Sequence, residues 1–487
     1  MQRQVNALRE LLDAASRRII DILDILITQE DWITIGELSS MMGASERTIA
    51  KDVDVIRGRW GQFLKVEASP NKGIRIHSRN VSALGRVVID IFNDSTALRW
   101  LEEIFFNPGK KIEFFVEKLF VSRSTLIRAL PGINRFLSER GMAIRYKGNR
   151  YQLIAEDEAY LRYFCAGFMI ELYGLHPEQF DIGEDFDLAG SLLIKTLRQH
   201  LSREEADIVI SDEIAILYCT MLYIVSLIRE NQGYTIPACH NVNQEIDAEI
   251  MSGITCRFPK ISKANLSAID QMVIKQYCGW DSEEERALVE KQGEAFWKRI
   301  FGRLEAQLDG GMLRKLVFYI KATYLITKCR PYETSSLFDR IRYFSIFLKK
   351  HNDSAYALVE RNLDILSQNV GLDLSGRMQD ILFWLCLTYP EFCNYTQIKS
   401  ALVISDFGTQ HANYLARYIA AFINKKGSPE IRVEAAGCRV LQEPALAEEY
   451  DVIITTIPDL PIAHKNIILI NDYPSHENLG DIYRSLG

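Results

Sequence analysis

The chain has 487 residues, of which 48% are hydrophobic and 25% charged, and this composition excludes a largely disordered protein. At about 150 residues per domain, the length predicts three or more domains. The 57 basic and 64 acidic side chains give a net charge of −7, which at first sight argues against nucleic acid as a partner.

Cysteine usage and hydropathy predict a cytoplasmic protein. The nine cysteines include no CxxC pair, and no basic and apolar signal pattern follows Met1, so we expect reduced thiols rather than disulfides. The longest apolar stretch, around Leu217–Ile228, is too short for a membrane span of about 20 residues. No residues have metal-ligand spacing, so neither a metal nor a cofactor is predicted.

The charge is unevenly distributed along the chain. Residues 1–150 contain 24 basic and 18 acidic side chains, a net charge of +6, whereas the remainder contains 33 and 46, a net charge of −13. A basic amino-terminal region on an acidic body indicates nucleic-acid binding confined to that region.

This basic region contains an internal repeat. Residues 45–51 (SERTIAK) align with residues 122–128 (SRSTLIR) at an offset of 77. The same offset pairs apolar residues further along: Val53 with Leu130, Ile56 with Ile133, Trp60 with Leu137, Ile74 with Tyr151 and Ile76 with Leu153. This many matches in register predict two copies of one structural unit.

The first copy has the pattern of a helix-turn-helix. Thr34 and Glu37 form a capping-box signature for a short helix, and Gly43 has the position of a glycine that ends it. Ser45 is then the predicted cap of a second helix, whose apolar stripe is Ile49, Val53, Ile56 and Trp60. Two helices joined by a tight turn in this way are typical of DNA-binding proteins.

The stripe determines which side chains face outward. If it packs inward, Arg47, Thr48 and Lys51 lie exposed near the start of the helix, behind the capping Ser45, where such helices contact base edges. The run 63–66, a turn at 69–73 and the run 74–76 then predict a wing, with Lys72 and Arg75 placed for DNA phosphates.

The second copy predicts the same arrangement with one conflict. Its outward residues are Arg123, Ser124, Thr125 and Arg128, and its wing carries Lys147 and Arg150. Pro131 falls inside the predicted recognition helix, where a proline costs about 3 kcal/mol, so this unit is expected to dock differently or to act partly as a spacer. For both copies the alternative interpretation is a helix pair used only for packing, with the basic residues solvating its outer face.

Two further regions follow the repeat. From about 156 to 392 the pattern is helical, enough for two bundles, and the nearly all-apolar stretch Glu213–Glu230 must be buried. Beyond Tyr395, strand and helix patterns alternate, which predicts a small α/β domain with a mostly parallel sheet. The loop at 405–411 has one glycine and no lysine or cysteine, so we favour a structural or docking role over phosphoryl transfer.

This order of domains resembles the Mga/AtxA family of bacterial transcription regulators, most specifically at Trp32–Trp60 and Phe115–Gly141. The resemblance implies a multidomain, mainly α fold with these boundaries: winged helix-turn-helix units at 1–80 and 81–155, bundles like phosphotransferase-system regulation domains (PRDs) at 156–280 and 281–395, and an enzyme IIB-like α/β domain at 396–487. It further implies a non-enzymatic, DNA-binding regulator of transcription that self-associates as a homodimer or higher oligomer through the bundles and the tail.

The resemblance also raises the question of phosphate control. Of the eight histidines, only His351 lies near a PRD-like position, and it is the one candidate for phosphorylation by phosphotransferase-system proteins. Two other functions stay open: a phosphoryl-transfer protein of sugar uptake, for which the loop offers only His411, and an RNA-binding antiterminator, which would begin with a β-rich module.

Overall fold

The structure is a computed structural model. It describes residues 7–29, 31–69, 72–76, 81–173, 183–237, 248–304, 306–329, 340–394, 400–423, 431–437, 450–462, 464 and 466–486. The predicted turn residues Pro70 and Asn71 lie outside this part of the chain. The chain folds into two compact parts. One contains both repeats and nearly all of the helical body, and the other contains the carboxy-terminal domain, here called the tail.

The first repeat, here the first unit, folds as three helices and a hairpin. Its elements are α1 (Ala14–Thr28), α2 (Ile35–Met42), α3 (Glu46–Leu64), β1 (Val66–Ser69) and β2 (Gly73–Ile76). The apolar stripe of α3 is buried from Ile49 to Trp60, as the spacing predicted. One prediction was wrong: Phe63 and Leu64 belong to the last turn of α3, and the chain reverses at Lys65, whose φ is 46°, before the strand begins.

The second repeat, here the second unit, has the same core with one more preceding helix, and the single bridge between Ile33 and Ile74 of the first unit is here a two-residue strand. Its elements are α4 (Val81–Asp94), α5 (Thr96–Phe106), β3 (Lys110–Lys111), α6 (Ile112–Leu119), α7 (Arg123–Ser138), β4 (Met142–Lys147) and β5 (Arg150–Ala155). The strands form an antiparallel sheet in the order β3-β5-β4, with Ile144 opposite Leu153. Helix α7 continues through Pro131.

The body is a set of packed helices without strands among its described residues. They are α8 (Glu158–Tyr173), α9 (Gly183–His200), α10 (Arg203–Ile210), α11 (Glu213–Gln232), α12 (Ala248–Arg257), α13 (Lys263–Cys278), α14 (Glu283–Arg303), α15 (Gly310–Cys329), α16 (Arg340–His351), α17 (Asp353–Val370) and α18 (Met378–Thr388). Residues 219–227 of α11 are all buried, which confirms that this apolar helix is a core element.

The hydropathy of the described helices gives no single membrane span. Helices α10 and α11 together are long and apolar enough for a span, but the chain bends by 90° between them.

Two polar junctions fix the two units on the body. On α11, the buried Arg229 donates from Nη1 to the backbone oxygen of Leu153 in β5, at 3.2 Å, and pairs with Glu158 through Nε at 2.7 Å. On α1, Asp24 accepts hydrogen bonds from Arg9, at 2.7 Å, and from the hydroxyl of Tyr343 in α16. Burial raises the pKa of Tyr343 well above its usual range, so its hydroxyl stays protonated and donates.

The tail is a parallel sheet with an apolar cluster on each face, and its two described helices both pack on one of these faces. Its elements are β6 (Ser400–Ile404), α19 (Thr409–Ile423), β7 (Arg432–Ala436), β8 (Val452–Thr455), β9 (Ile467–Leu469) and α20 (His476–Leu486). The strand order is β7-β6-β8-β9, and every pair is parallel. Because successive side chains point to opposite faces, Ala401 and Val403 join one apolar cluster while Leu402 and Ile404 join another.

Candidate DNA-binding surface

The orientation of α3 is fixed by a buried ion pair that the sequence analysis did not identify. Asp52 is only 4% exposed and receives two hydrogen bonds from Arg18 of α1, one of them from Nη2 at 3.1 Å. An unpaired buried carboxylate would be costly, so the pair ties the two helices together. The available signal was an acidic residue directly beside the buried Val53 in the apolar stripe.

The residues that begin and end α2 form the predicted capping contacts. Glu37 and Thr34 form the capping box: Thr34 N donates to Glu37 Oε2 at 2.8 Å, and Glu37 N donates to Thr34 Oγ1 at 3.2 Å. The hydrogen bond from the Thr34 backbone lowers the pKa of Glu37. Gly43 then adopts a left-handed conformation with φ of 60°, which glycine enters without steric cost.

The first two turns of α3 present two exposed cations. Ser45 caps the helix by accepting a hydrogen bond from the amide of Thr48 at 3.3 Å, and the hydroxyl groups of the two residues are 2.8 Å apart. Thr48, a predicted DNA contact, is thus already hydrogen-bonded, and it is half-buried. Arg47 and Lys51 are exposed, and neither forms an ion pair with any residue that the structure describes. Their charges are therefore available to an anionic partner.

In the first hairpin the two predicted phosphate contacts differ. Lys72 is exposed at the turn between β1 and β2. Arg75 instead donates from Nε to Glu67 across the hairpin at 2.7 Å, and its guanidinium lies 4.7 Å from the ring centre of Trp32. Because Arg75 is half-buried in these contacts, Lys72 is the freer cation of the hairpin.

The hairpin is fixed against the helices at Gly73. Its backbone has φ of 94°, and a Cβ atom there would lie 2.0 Å from the oxygen of Ile33. Ile33 and Ile74 exchange two backbone hydrogen bonds at 2.9 and 2.7 Å. Only glycine permits this approach, so the contact with Ile33 fixes the position of the hairpin beside α2.

The second unit repeats the turn with a different residue. Phe120 adopts the left-handed conformation, with φ of 55°, at the position that Gly43 has in the first unit, and its side chain is 95% exposed. Ser122 caps α7 by accepting the amide of Thr125 at 3.1 Å. Thr125, predicted as outward, is half-buried, and its hydroxyl lies 2.8 Å from that of Ser122.

The outward face of α7 carries Arg123, Ser124 and Arg128, as predicted, and all three are exposed. Arg128 donates from Nε to the backbone oxygen of Ser124 at 3.2 Å, which holds its side chain along the helix and leaves the Nη atoms for another partner. Ser124 also lies 2.8 Å from the hydroxyl of Ser122. Ile127, which the sequence analysis did not select, lies on the same face and is 49% exposed.

The second hairpin is clamped to α7 by a side chain. Asn134 accepts from the amide of Ile144 at 2.7 Å and donates to its backbone oxygen at 3.3 Å. Of the predicted cations, Lys147 is exposed, whereas the exposed Arg150 donates from Nη1 to the backbone oxygen of Gly109 at 2.7 Å.

Further exposed side chains on this sheet escaped the sequence analysis. They are Lys110 and Lys111 in β3, and Arg145 and Tyr146 in β4. The left-handed Gly109, with φ of 76°, turns the chain into β3, which pairs with β5 and so adds two lysines to the sheet edge. The signal was the Pro-Gly-Lys-Lys run at 108–111, which has no counterpart in the first unit.

The other predicted candidates belong to the body and the tail. His351 is the exposed last residue of α16. In the tail, both ring nitrogens of His411 are engaged: Nδ1 with Ser405 Oγ at 2.8 Å and Nε2 with the backbone oxygen of Asp472 at 3.0 Å. A hydrogen bond from Thr456 to Asp406, at 2.6 Å, lowers the pKa of that carboxyl. Among the described residues, no group of three or more His, Cys, Asp and Glu could hold a metal ion.

Comparisons with known proteins agree with this architecture. The family model of the Mga helix-turn-helix domain matches residues 83–169, and that of an HTH domain matches residues 18–75. The chain is 22% identical to the "Putative trans-acting regulator" of Streptococcus pneumoniae serotype 4, with 96% of both chains covered. It is 23% identical to the capsule synthesis positive regulator AcpB of Bacillus anthracis, over 96% of this chain and 97% of the relative. The regulator AcpA of the same species is 18% identical, over 93% and 95%.

The family matches fall on the two repeated units, and the relatives extend along nearly the whole chain. The resemblance suggested by the repeated motif and by the order of domains is thereby confirmed: the chain contains an Mga helix-turn-helix domain and a second HTH domain, and it is similar along nearly its whole length to these regulators.

Proposed function

We propose that this chain is a DNA-binding regulator of transcription that contacts duplex DNA through both helix-turn-helix units. The observation that carries the proposal is the pair of exposed cations Arg47 and Lys51 at the capped start of α3, neither of which forms an ion pair with a described residue. In a helix-turn-helix these positions enter the major groove, where the planar fork of arginine fits guanine and a lysine fits a phosphate.

The second unit supplies a parallel set of contacts. Arg123, Ser124 and Arg128 are the proposed groove-facing residues of α7, with Thr125 and Ser122 shaping the helix start. Lys72 and Arg75 on the first hairpin and Lys147 and Arg150 on the second are the proposed phosphate contacts. Of these four, the exposed Lys72 and Lys147 are expected to contribute more than the two arginines, which already bind protein atoms.

Duplex binding is tested with the full chain and two charge-matched double variants. The first, Arg47→Ala with Lys51→Ala, removes the proposed contacts. The control, Arg286→Ala with Lys298→Ala, removes two exposed cations from α14 of the body. Binding is measured by fluorescence anisotropy against a duplex selected from a randomised library, at several salt concentrations.

We expect the first variant to bind the selected duplex at least tenfold more weakly and with a shallower salt dependence. The control is expected to bind like the parent. Equal binding by the parent and the Arg47, Lys51 variant would remove the assignment of this surface. Tighter binding to hairpin RNA than to the duplex would favour the antiterminator instead.

The finer architecture belongs to the same proposal. We take the winged units as 1–80 and 81–155, the PRD-like bundles as 156–280 and 281–395, and the enzyme IIB-like domain as 396–487. The division between the bundles is supported by the break between α13 and α14. The enzyme IIB-like assignment is supported by the parallel sheet of the tail. Self-association through bundles and tail is tested by analytical ultracentrifugation of the full chain.

A phosphoryl-transfer role for the tail is the less favoured function. The only candidate acceptor of its loop, His411, has both ring nitrogens within hydrogen-bond distance of other atoms. His351 remains the proposed site for phosphotransferase-system proteins, because it is exposed and follows two lysines that would neutralise a phosphate. Mass spectrometry after incubation with those proteins tests it, and a phosphopeptide containing His411 but not His351 would reverse the preference.

A further inference from the structure

The recognition helix of the second unit has one apolar side chain in the middle of its polar outward face. Ile127 is 49% exposed, although the neighbouring Leu126 is fully buried in the core. It lies four residues after Arg123 and three after Ser124, so the three side chains share one face of the helix. Single exposed apolar residues are common on protein surfaces, so its exposure alone implies nothing.

Its place in the repeat is more informative. The offset that aligns the two units pairs Ile127 with Ala50, so both recognition helices have an apolar residue at the same outward position. In both, a basic residue follows directly: Arg128 after Ile127, and Lys51 after Ala50. An apolar group flanked by cations suits a ligand that has an apolar spot on an otherwise anionic, polar surface.

The major groove of DNA has one such spot. Thymine presents its C5-methyl group there, whereas the other bases present donors and acceptors that an isoleucine would leave without partners. We propose that Ile127 contacts a thymine methyl group and so determines the base at one position of the binding site. Ala50, with a shorter side chain, occupies the equivalent place in the first unit. The inference rests on the proposed duplex binding and adds the base that α7 selects.

The test removes the methyl group from the DNA and the side chain from the protein. A duplex selected by the full chain from a randomised library is resynthesised with each deoxythymidine replaced in turn by deoxyuridine, which lacks only that methyl group. The parent chain is expected to lose about fourfold in affinity at one position, the value of one buried methyl group.

Three variants locate the contact. With Ile127→Ser the thymidine-to-uridine ratio at that position falls to about 1, while the conservative Ile127→Val keeps most of it. The control Val55→Ser removes an exposed apolar residue from the middle of α3, beyond its proposed groove-facing start, and leaves the ratio unchanged. Circular dichroism establishes that each variant is folded, which the exposure of both side chains leads us to expect.

The outcomes separate this inference from the proposed function. Duplex binding with no uridine-sensitive position, or with a ratio that Ile127→Ser leaves unchanged, overturns the thymine contact but not DNA binding. If Ile127→Ser does not fold, the parent and Ile127→Val still decide, because a parent insensitive to uridine overturns the contact. Absence of binding to any duplex overturns both proposals.

Discussion

The two helix-turn-helix units reach the same turn geometry with different residues. In the first unit the left-handed turn residue is Gly43, with φ of 60°, and in the second it is Phe120, with φ of 55°. Thr34, the residue before α2, forms a complete capping box, whereas Lys111, the residue before α6, makes no side-chain capping hydrogen bond. The packing of the two helices therefore determines the conformation of the turn. The residue at the turn changes only the free energy of that conformation.

The units also differ in how their hairpins are supported. Arg75 of the first hairpin is occupied by Glu67 and Trp32, while the second hairpin has a third strand, a clamp at Asn134 and more exposed cations. The second unit is thus the better supported platform for the proposed phosphate contacts, even though its proposed recognition helix contains a proline.

The largest expected effect tests whether the two helices depend equally on their cores. Ile49→Ala and Leu126→Ala each truncate a fully buried residue at the same repeat position. Each should lower the free energy of opening of its own unit by about 3 kcal/mol. Hydrogen exchange of α3 and α7 amides in the full chain measures both units separately. A loss confined to one of them would contradict the equivalence of the two cores.

A proline exchange tests the difference between the helices. The repeat offset of 77 residues pairs Asp54 of α3 with Pro131 of α7. Asp54 is exposed, so Asp54→Pro should destabilise α3 by about 3 kcal/mol through the missing amide and the ring clash. Pro131→Ala should stabilise α7 by roughly 1–2 kcal/mol, less because that helix has already adjusted to the ring. Hydrogen exchange of the two helices is the measurement, and unchanged protection in both variants would contradict the argument.

Exchange of the turn residues should have a smaller effect. Phe120→Gly is expected to raise the stability of the second unit by about 1 kcal/mol, because glycine tolerates positive φ and the exposed phenyl ring buries little. Gly43→Ala should lower that of the first unit by a similar amount. A Cβ atom there meets nothing within 4 Å, so the cost is purely conformational. Chemical denaturation followed by exchange of each unit checks both, and destabilisation by Phe120→Gly would show an unseen role for the ring.

The smallest effect is a pH dependence confined to one unit. The pKa of Glu37 is lower in the folded protein because the Thr34 backbone and hydroxyl donate to it. A carboxyl with a lowered folded pKa stabilises the fold above its unfolded pKa of about 4.3, and this contribution disappears as the pH falls through the folded value. The protection of the amides at the start of α2, relative to their intrinsic exchange rate at each pH, should therefore decrease on acidification towards pH 3. Glu37→Gln should remove this dependence, and the uncapped start of α6 is the internal control.

Much of the molecule was predictable because its signals are local. The period of the stripe from Ile49 to Trp60 specified a buried helix face, and Ser45 and Ser122 specified where the recognition helices begin. The strand and helix alternation beyond 395 predicted the parallel sheet. What escaped prediction depends on distant partners. The sequence indicates no partner within the protein for Arg75 or Arg150. In the structure their guanidinium groups bind Glu67 and the backbone oxygen of Gly109, respectively.

The sequence by itself determined the repeat, the capped recognition helices and the outward placement of Arg47 and Lys51, because helical periodicity and capping act within a few residues. Only the tertiary structure decided the buried pair of Arg18 with Asp52, the left-handed Phe120 and the attachment of Leu153 to Arg229. Each of these joins or adjusts segments whose mutual position follows from packing. No spacing rule along the chain specifies where such segments meet.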